Sequence, residues 1–166
     1  MELRFEDPRK FGRVWLVDGP DEVTAKLGPD ALTVAYSLFA ARIATYHRQL
    51  KPLLLDQSFV AGIGNIYADE ILFRAGLHPL INSADLSPLE IRGLHTAVKL
   101  VLQDAVATGG ANIDGVFKAG MFRVNVYARQ GQPCFSCGAP IIKIRVGQRG
   151  THFCPRCQIP RRHSSS

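Results

Sequence analysis

Acidic side chains are absent from the last third of this chain. Residues 115–166 contain not one Asp or Glu, yet they hold Lys118, Arg123, Arg129, Lys143, Arg145, Arg149, Arg156, Arg161 and Arg162. Those 52 residues carry +9, while the first 114, with eleven basic against fourteen acidic residues, carry −3. A basic stretch without acids argues against a cationic partner and for a polyanion, and its excess of Arg over Lys suits bidentate contacts to phosphate. The competing account is a solvated basic face. Apolar runs of the roughly 20 residues needed to span a membrane are also missing, as are internal repeats. Cysteine does not occur before position 134, so no disulfide framework can staple the body of the chain.

The four cysteines that do occur are arranged Cys134-x-x-Cys137, sixteen residues, then Cys154-x-x-Cys157. Two such knuckles each curl a pair of sulfurs toward one point, which is the spacing of a four-thiolate structural zinc site. Gly138 and Pro155 suit the tight turns. Between the knuckles, Ile141, Ile142, Ile144, Val146 and Phe153, with Gly147 and Gly150 bracketing a turn, predict a short β-hairpin and hence a zinc ribbon. The alternative is two disulfides, as in a secreted mini-domain. No apolar leader opens the sequence, which favours one Zn²⁺ and a cytoplasmic, nucleoid-associated protein. A zinc ribbon by itself does not distinguish a nucleic-acid binder from a protein adaptor.

The chain divides into three parts. Residues 1–19 alternate loosely around the turn Asp7-Pro8-Arg9-Lys10-Phe11-Gly12 and suggest strand, loop, strand, a hairpin not stable alone. Residues 20–114 turn helical. One helix is expected over residues 34–47, with Leu38, Phe39, Ile43 and Tyr46 at helical spacing. Another begins at Ser87-Pro88-Leu89-Glu90, a capping box with Pro at the first helical position, and carries Leu89, Leu94, Val98, Val101, Leu102 and Ala105 as its core face. It should end near Gly109-Gly110. Residues 115–166 form the basic zinc module. The fold class is therefore mainly α with a small β ribbon.

The segment from Lys51 to Glu70 carries the second signal. Residues 56–61 fit a short helix stopped by Gly62 and Gly64, and Asn65 fits the N-cap of a helix through Ala75, with Gly76 as its stop. Glycines before a helix N-terminus permit close approach of a phosphate to free N–H groups and to the positive end of the dipole. Asn65 could add its amide and Lys51 its charge. Equally, Asn65 could only cap its helix, and the glycines only turn the chain.

This segment closely resembles the helix–two-turn–helix motif of the formamidopyrimidine-DNA glycosylase and endonuclease VIII family. Val126-Tyr127, Gly131, Pro133 and the first knuckle resemble that family's C-terminal finger, and the Asp7–Gly12 loop resembles its DPRRFG loop, in the formamidopyrimidine branch. The resemblance implies a bundle of helix–two-turn–helix type followed by a four-cysteine finger, and a part in base-excision repair. It implies that Lys51, Asn65 and Arg149 contact phosphates of double-stranded DNA that is damaged or abasic. It also implies that Arg9 and Phe11 fill the void left by an everted nucleotide, a task suited to an aromatic wedge beside a cation. Judged without the family, Phe11 would be a minor core residue and Arg9 a surface charge; the competing account of Arg149 is a solvated loop arginine.

The family's nucleophile is an N-terminal proline amine, followed directly by a proton-shuttling glutamate. Here Glu2 follows Met1, and no proline precedes it, so Glu2 does not match that glutamate and no catalytic residue is assigned. Residues from Leu3 onward resemble the end of the family's N-terminal β-sandwich domain, which makes the hairpin at 1–19 a remnant. The expected function is thus the DNA-clamping part of a glycosylase and abasic-site lyase for oxidised purines. Two alternatives stay open: a zinc-ribbon adaptor for proteins, and a non-catalytic relative that binds abasic DNA. Residues 115–123 do not align with the family's base-recognition loop, so the lesion is not specified.

Overall fold

The computed structural model describes residues 4–5, 12, 14–111 and 120–160. Five helices come first: α1 (Asp21–Thr24), α2 (Tyr36–Thr45), α3 (Leu50–Leu55), α4 (Asn65–Ala75) and α5 (Pro88–Ala107), with a 3₁₀ turn at Ser83–Asp85. Two strands follow, β1 (Ile142–Val146) and β2 (Arg149–Phe153). The expected mainly helical fold with a small ribbon is what the chain forms. Among the described residues no helix is long and apolar enough to cross a membrane. Arg9, Phe11 and most of the expected N-terminal hairpin lie outside the described residues, and Val14 to Val17 form no strand.

α5 starts where the capping box placed it. The Ser87 hydroxyl accepts the Glu90 N–H, the Glu90 carboxylate accepts the Ser87 N–H at 2.8 Å, and Pro88 opens the helix. Leu94, Ala97, Val98, Val101, Leu102 and Ala105 face the core. Leu89, expected among them, is 78% exposed. It precedes Leu94 by five residues, which rotates it about 140° off the buried stripe. α2 is shorter than its predicted span; Phe39 and Ile43 are buried, while Leu38 faces out.

The predicted helix at 56–61 is not formed. The helix lies one step earlier, as α3, where Leu50, Leu53 and Leu54 are fully buried. Asp56 stops it by accepting the backbone N–H of Ser58 at 2.9 Å and the Ser58 hydroxyl at 2.6 Å, local bonds that compete with helix propagation. The Gln57 side chain then braces the turn, accepting from Gly62 N–H and donating to the carbonyl of Ile63. Gly62, at φ 102°, adopts a backbone that other residues rarely reach. Gly64, not Asn65, is the N-cap of α4; Asn65 is its first helical residue. Gly76, left-handed at φ 67°, closes the helix as expected.

α4 presents two faces to two cores. Ala68, Ile71 and Leu72 enter the helical core with Leu53, Phe59 and Leu94, whereas Phe73 packs on a smaller cluster of Val126, Cys134, Ile141 and Cys154. The ribbon above it is an antiparallel pair in which Val146 faces Arg149 and Ile142 faces Phe153. Gly147 and Gln148 make its two-residue turn with φ of 53° and 64°, the left-handed pair that matches strand twist. Gly150, predicted in the turn, pairs with Arg145 inside β2.

Candidate nucleic-acid interface and metal centre

The four thiol sulfurs lie within 4.8 Å of one another. Cys134 and Cys157 are 3.9 Å apart and Cys137 and Cys154 3.4 Å. Four ligands about 2.3 Å from a tetrahedral zinc stand about 3.8 Å apart, so the donor set fits that ion. The chain supports thiolate in the way metal knuckles do: Ser136 N–H points at Cys134 Sγ and Cys157 N–H at Cys154 Sγ, each at 3.4 Å. Burial disfavours the Cys134 thiolate, but N–H groups of Ser136 and Cys137 and the neighbouring thiols outweigh it and bring its pKa down to about 7, whereas burial pushes the Cys154 and Cys157 thiols up. One Zn²⁺ held here has a structural role, because all four positions are protein ligands and none is left for a substrate.

Asn65 and the Arg149-Gly150 start of β2 come from segments far apart in sequence and are joined where α4 begins. Asn65 Nδ2 donates to the carbonyl of Gly150 at 3.3 Å, one residue beyond Arg149. That bond uses one of the two amide hydrogens and leaves the other available. The N-cap Gly64 has no side chain to offer the α4 N-terminus, so the first N–H groups and the dipole of the helix add positive potential at the same place. Arg149 is exposed, and its guanidinium takes no ion pair or side-chain hydrogen bond among the described residues. Lys143 and Arg145 are exposed on the facing strand. Arg129 is different: it is buried, donates to the carbonyls of Asn125 and Pro133 and stacks on Phe135 at 3.5 Å, so it serves the fold.

Lys51 does not reach the surface. It is fully buried, with Nζ 2.6 Å from Asp69 Oδ1 and 2.9 Å from the carbonyl of Asn65. Burial lowers its pKa, Asp69 opposes that shift, and the nearby charge of Arg149 adds to it. The ammonium is therefore committed to Asp69, one step behind the surface where Asn65 stands.

Several residues that hold this site were not singled out from the sequence. Asp69 Oδ2 accepts the N–H of His152 at 2.9 Å. Glu70 accepts four bonds, from the N–H groups of Asn125, Val126 and Tyr127 and from the Asn125 amide, at 2.8–3.0 Å. Gln158, also buried, accepts from Cys154 N–H and donates to the carbonyl of Leu77, both at 2.9 Å. The one available signal was the adjacent pair Asp69-Glu70 inside an otherwise apolar helix face; apart from Lys51, eighteen residues back, its partners lie 55 to 83 residues away. Beside the two-turn segment an open cavity of about 330 Å³ is bounded by Ala31, Ala61, Gly62, Tyr67, Val106 and Gly110, with mostly apolar walls.

Residues 27–116 match the formamidopyrimidine-DNA glycosylase H2TH domain, and residues 131–159 match the zinc finger found in FPG and IleRS. Formamidopyrimidine-DNA glycosylase of Roseiflexus sp. (strain RS-1) is 46% identical over 95% of this chain and 61% of that protein. The Listeria innocua enzyme of the same name is 44% identical over 95% of the chain and 62% of its own length. The chain thus spans about three-fifths of the relatives it matches. Among solved structures, the MutM (Fpg) protein of Thermus thermophilus superposes with a TM-score of 0.83 at 42% identity, covering 92% of this chain and 62% of that one. The Lactococcus lactis Fpg in complex with abasic-site DNA superposes at 0.79 and 37% identity, covering 85% and 55%.

Proposed function

Because this chain belongs to the formamidopyrimidine-DNA glycosylase family through its H2TH domain, we propose that it grips damaged double-stranded DNA in base-excision repair. The observation that carries the reading is the meeting of Asn65, at the uncapped start of α4, with the exposed Arg149 next to its hydrogen-bonded partner Gly150. An amide and a guanidinium from separate modules then face one backbone phosphate. Such contacts position a duplex and carry no sequence information. The Lactococcus lactis relative was solved with abasic-site DNA bound, and a site with its base missing spares most of the few kcal/mol that unstacking costs.

In this reading the zinc ribbon and the two-turn segment clamp the duplex while Arg9 and Phe11 prop the opened stack, and the cavity beside Tyr67 receives the extruded base. Its apolar walls suit a flat ring. The three-part division at residues 19 and 114 goes with this assignment of tasks. The proline amine and glutamate of the family's chemistry match none of these 166 residues, so glycosylase and lyase activity would need groups from outside them. A protein of this kind works in the cytoplasm on the nucleoid.

The test is binding to matched duplexes, one intact and one with a single abasic site, over a range of salt. Tighter binding to the abasic duplex is expected, with log affinity falling by about 0.9 per phosphate contact for each decade of salt. Arg149→Ala should reduce that slope by about one contact, and Asn65→Ala should weaken binding to both duplexes. Salt-independent binding, or equal affinity for the two duplexes, would contradict the reading.

A further inference from the structure

We propose that Asp69 is a positioning residue for the phosphate grip, one that fixes the edge of β2 against the first turns of α4 so that Arg149 stands beside Asn65. The inference rests on the clamp reading above.

Two bonds to the backbone of β2 join the helix to the strand edge, and the His152 ring adds a third contact, Nδ1 lying 3.3 Å from Asp69 Oδ2. Asn65 Nδ2 donates to the Gly150 carbonyl at 3.3 Å, and Asp69 Oδ2 accepts the His152 N–H at 2.9 Å. The helix residues are four apart, a rise of about 6 Å; the strand residues are two apart, about 6.6 Å. The two spacings match, so both bonds form at once in this register. A shift of one residue along β2 would turn its other edge to α4 and point Arg149 elsewhere. Asp69 Oδ1 meanwhile holds Lys51 Nζ at 2.6 Å, and that ammonium donates to the Asn65 carbonyl at 2.9 Å. One carboxylate, wholly buried, thereby links α3, the start of α4 and β2.

A buried ion pair is a poor source of stability, since well-packed apolar residues of similar volume often do as well or better. Where such a pair is kept, fixing a register is its best attested use. Here the register it fixes is that of the two groups proposed to hold phosphate.

The experiment is a double-mutant cycle in a background with no orphaned charge. Lys51→Met/Asp69→Asn keeps a carbonyl oxygen able to accept the His152 N–H. Lys51→Met/Asp69→Leu removes that acceptor at similar volume. Each is compared with and without Arg149→Ala, by affinity for abasic duplex at fixed salt and by zinc per chain. With the acceptor present, Arg149→Ala should cost about tenfold; with Leu it should cost less than about twofold, because the arginine is already misplaced. An equal cost in both backgrounds would make Asp69 merely structural and overturn the proposal. Should the Leu variant fail to hold zinc, hydrogen exchange on the unmutated protein decides. A His152 amide protected like those between β1 and β2 supports the tether, and exchange at the rate of exposed loop amides removes it. If the unmutated protein shows no salt-dependent DNA binding, the clamp reading itself has failed, a result seen before any variant is compared.

Discussion

Glu70 Oε1 accepts the backbone N–H of Val126 at 2.9 Å, joining the middle of α4 to a segment 56 residues later. The same oxygen takes Tyr127 N–H, and Oε2 takes two donors from Asn125, so all four acceptor positions of the carboxylate are filled. The zinc module is thus docked by a carboxylate surrounded by N–H groups, in addition to its apolar contact with Phe73.

Glu70→Gln should be costly although it changes few atoms. Replacing one oxygen by NH₂ sets a donor against donors and leaves buried N–H groups unpaired, at about 1–3 kcal/mol each. We expect about 2–4 kcal/mol in urea unfolding with zinc saturating. A loss below about 0.5 kcal/mol would show that the apolar contact alone docks the module.

Removing one zinc ligand should separate the two cores. Cys154 is fully buried in the small cluster, and Cys154→Ser should release the metal and loosen the ribbon, since metal binding in such modules is folding energy. The helical core has its own cluster of buried residues, and α2 to α5 should persist in far-UV circular dichroism. DNA binding should weaken at least tenfold, or about 1.4 kcal/mol, because Arg149 would no longer be held. Retention of full affinity by the metal-free variant would speak against that dependence.

How much of this was legible in the sequence depended on the range of the interaction. The capping box of α5 and the cysteine knuckles lie within a few residues and could be located directly. The short helix was misplaced because residues 56–61 were bounded by their glycine stops, whereas the Asp56–Ser58 bonds end the helix before that segment begins. Lys51 was expected to offer its charge to a phosphate because nothing nearby in sequence shows that Asp69, eighteen residues on, meets it in the interior. Glu70 finds its partners more than 50 residues away, and Gln158, besides the nearby Cys154 N–H, reaches the carbonyl of Leu77 81 residues back, which no local pattern encodes.

Gly28 offers a test of the two-turn segment itself. Its N–H donates to the Gln57 carbonyl at 2.8 Å, and a Cβ there would stand 2.6 Å from the carbonyl oxygens of both Ser58 and Phe59. Both obstacles are backbone, and Arg42 Nε already holds the Phe59 carbonyl at 2.8 Å. Gly28→Ala should therefore destabilise by about 1–3 kcal/mol through overpacking. Thermal melts would show it as a clear drop in Tm, whereas Gly64→Ala, whose added Cβ meets nothing within 4 Å, should lower Tm far less.

His78 gives the helical core a predictable weakness in acid. Its ring is buried, packs edge-on to Phe153 at 4.6 Å, and its Nδ1 accepts the Leu80 N–H at 3.2 Å, which requires that nitrogen to be unprotonated. Burial pushes its pKa below the ordinary 6.5. In the unfolded chain the imidazole takes a proton near that ordinary value, while in the folded chain it does so only at lower pH. Between the two the unfolded state binds more protons, so stability rises with pH across this window and falls as the solution is acidified through it. Zinc release also weakens the protein in acid, but a His78→Gln variant shares that loss. The stability advantage of the unmutated chain over His78→Gln should therefore shrink from about pH 7.5 to about pH 5.5. Paired urea titrations at the two pH values measure it, and a constant difference would mean that His78 is protonated alike in both states.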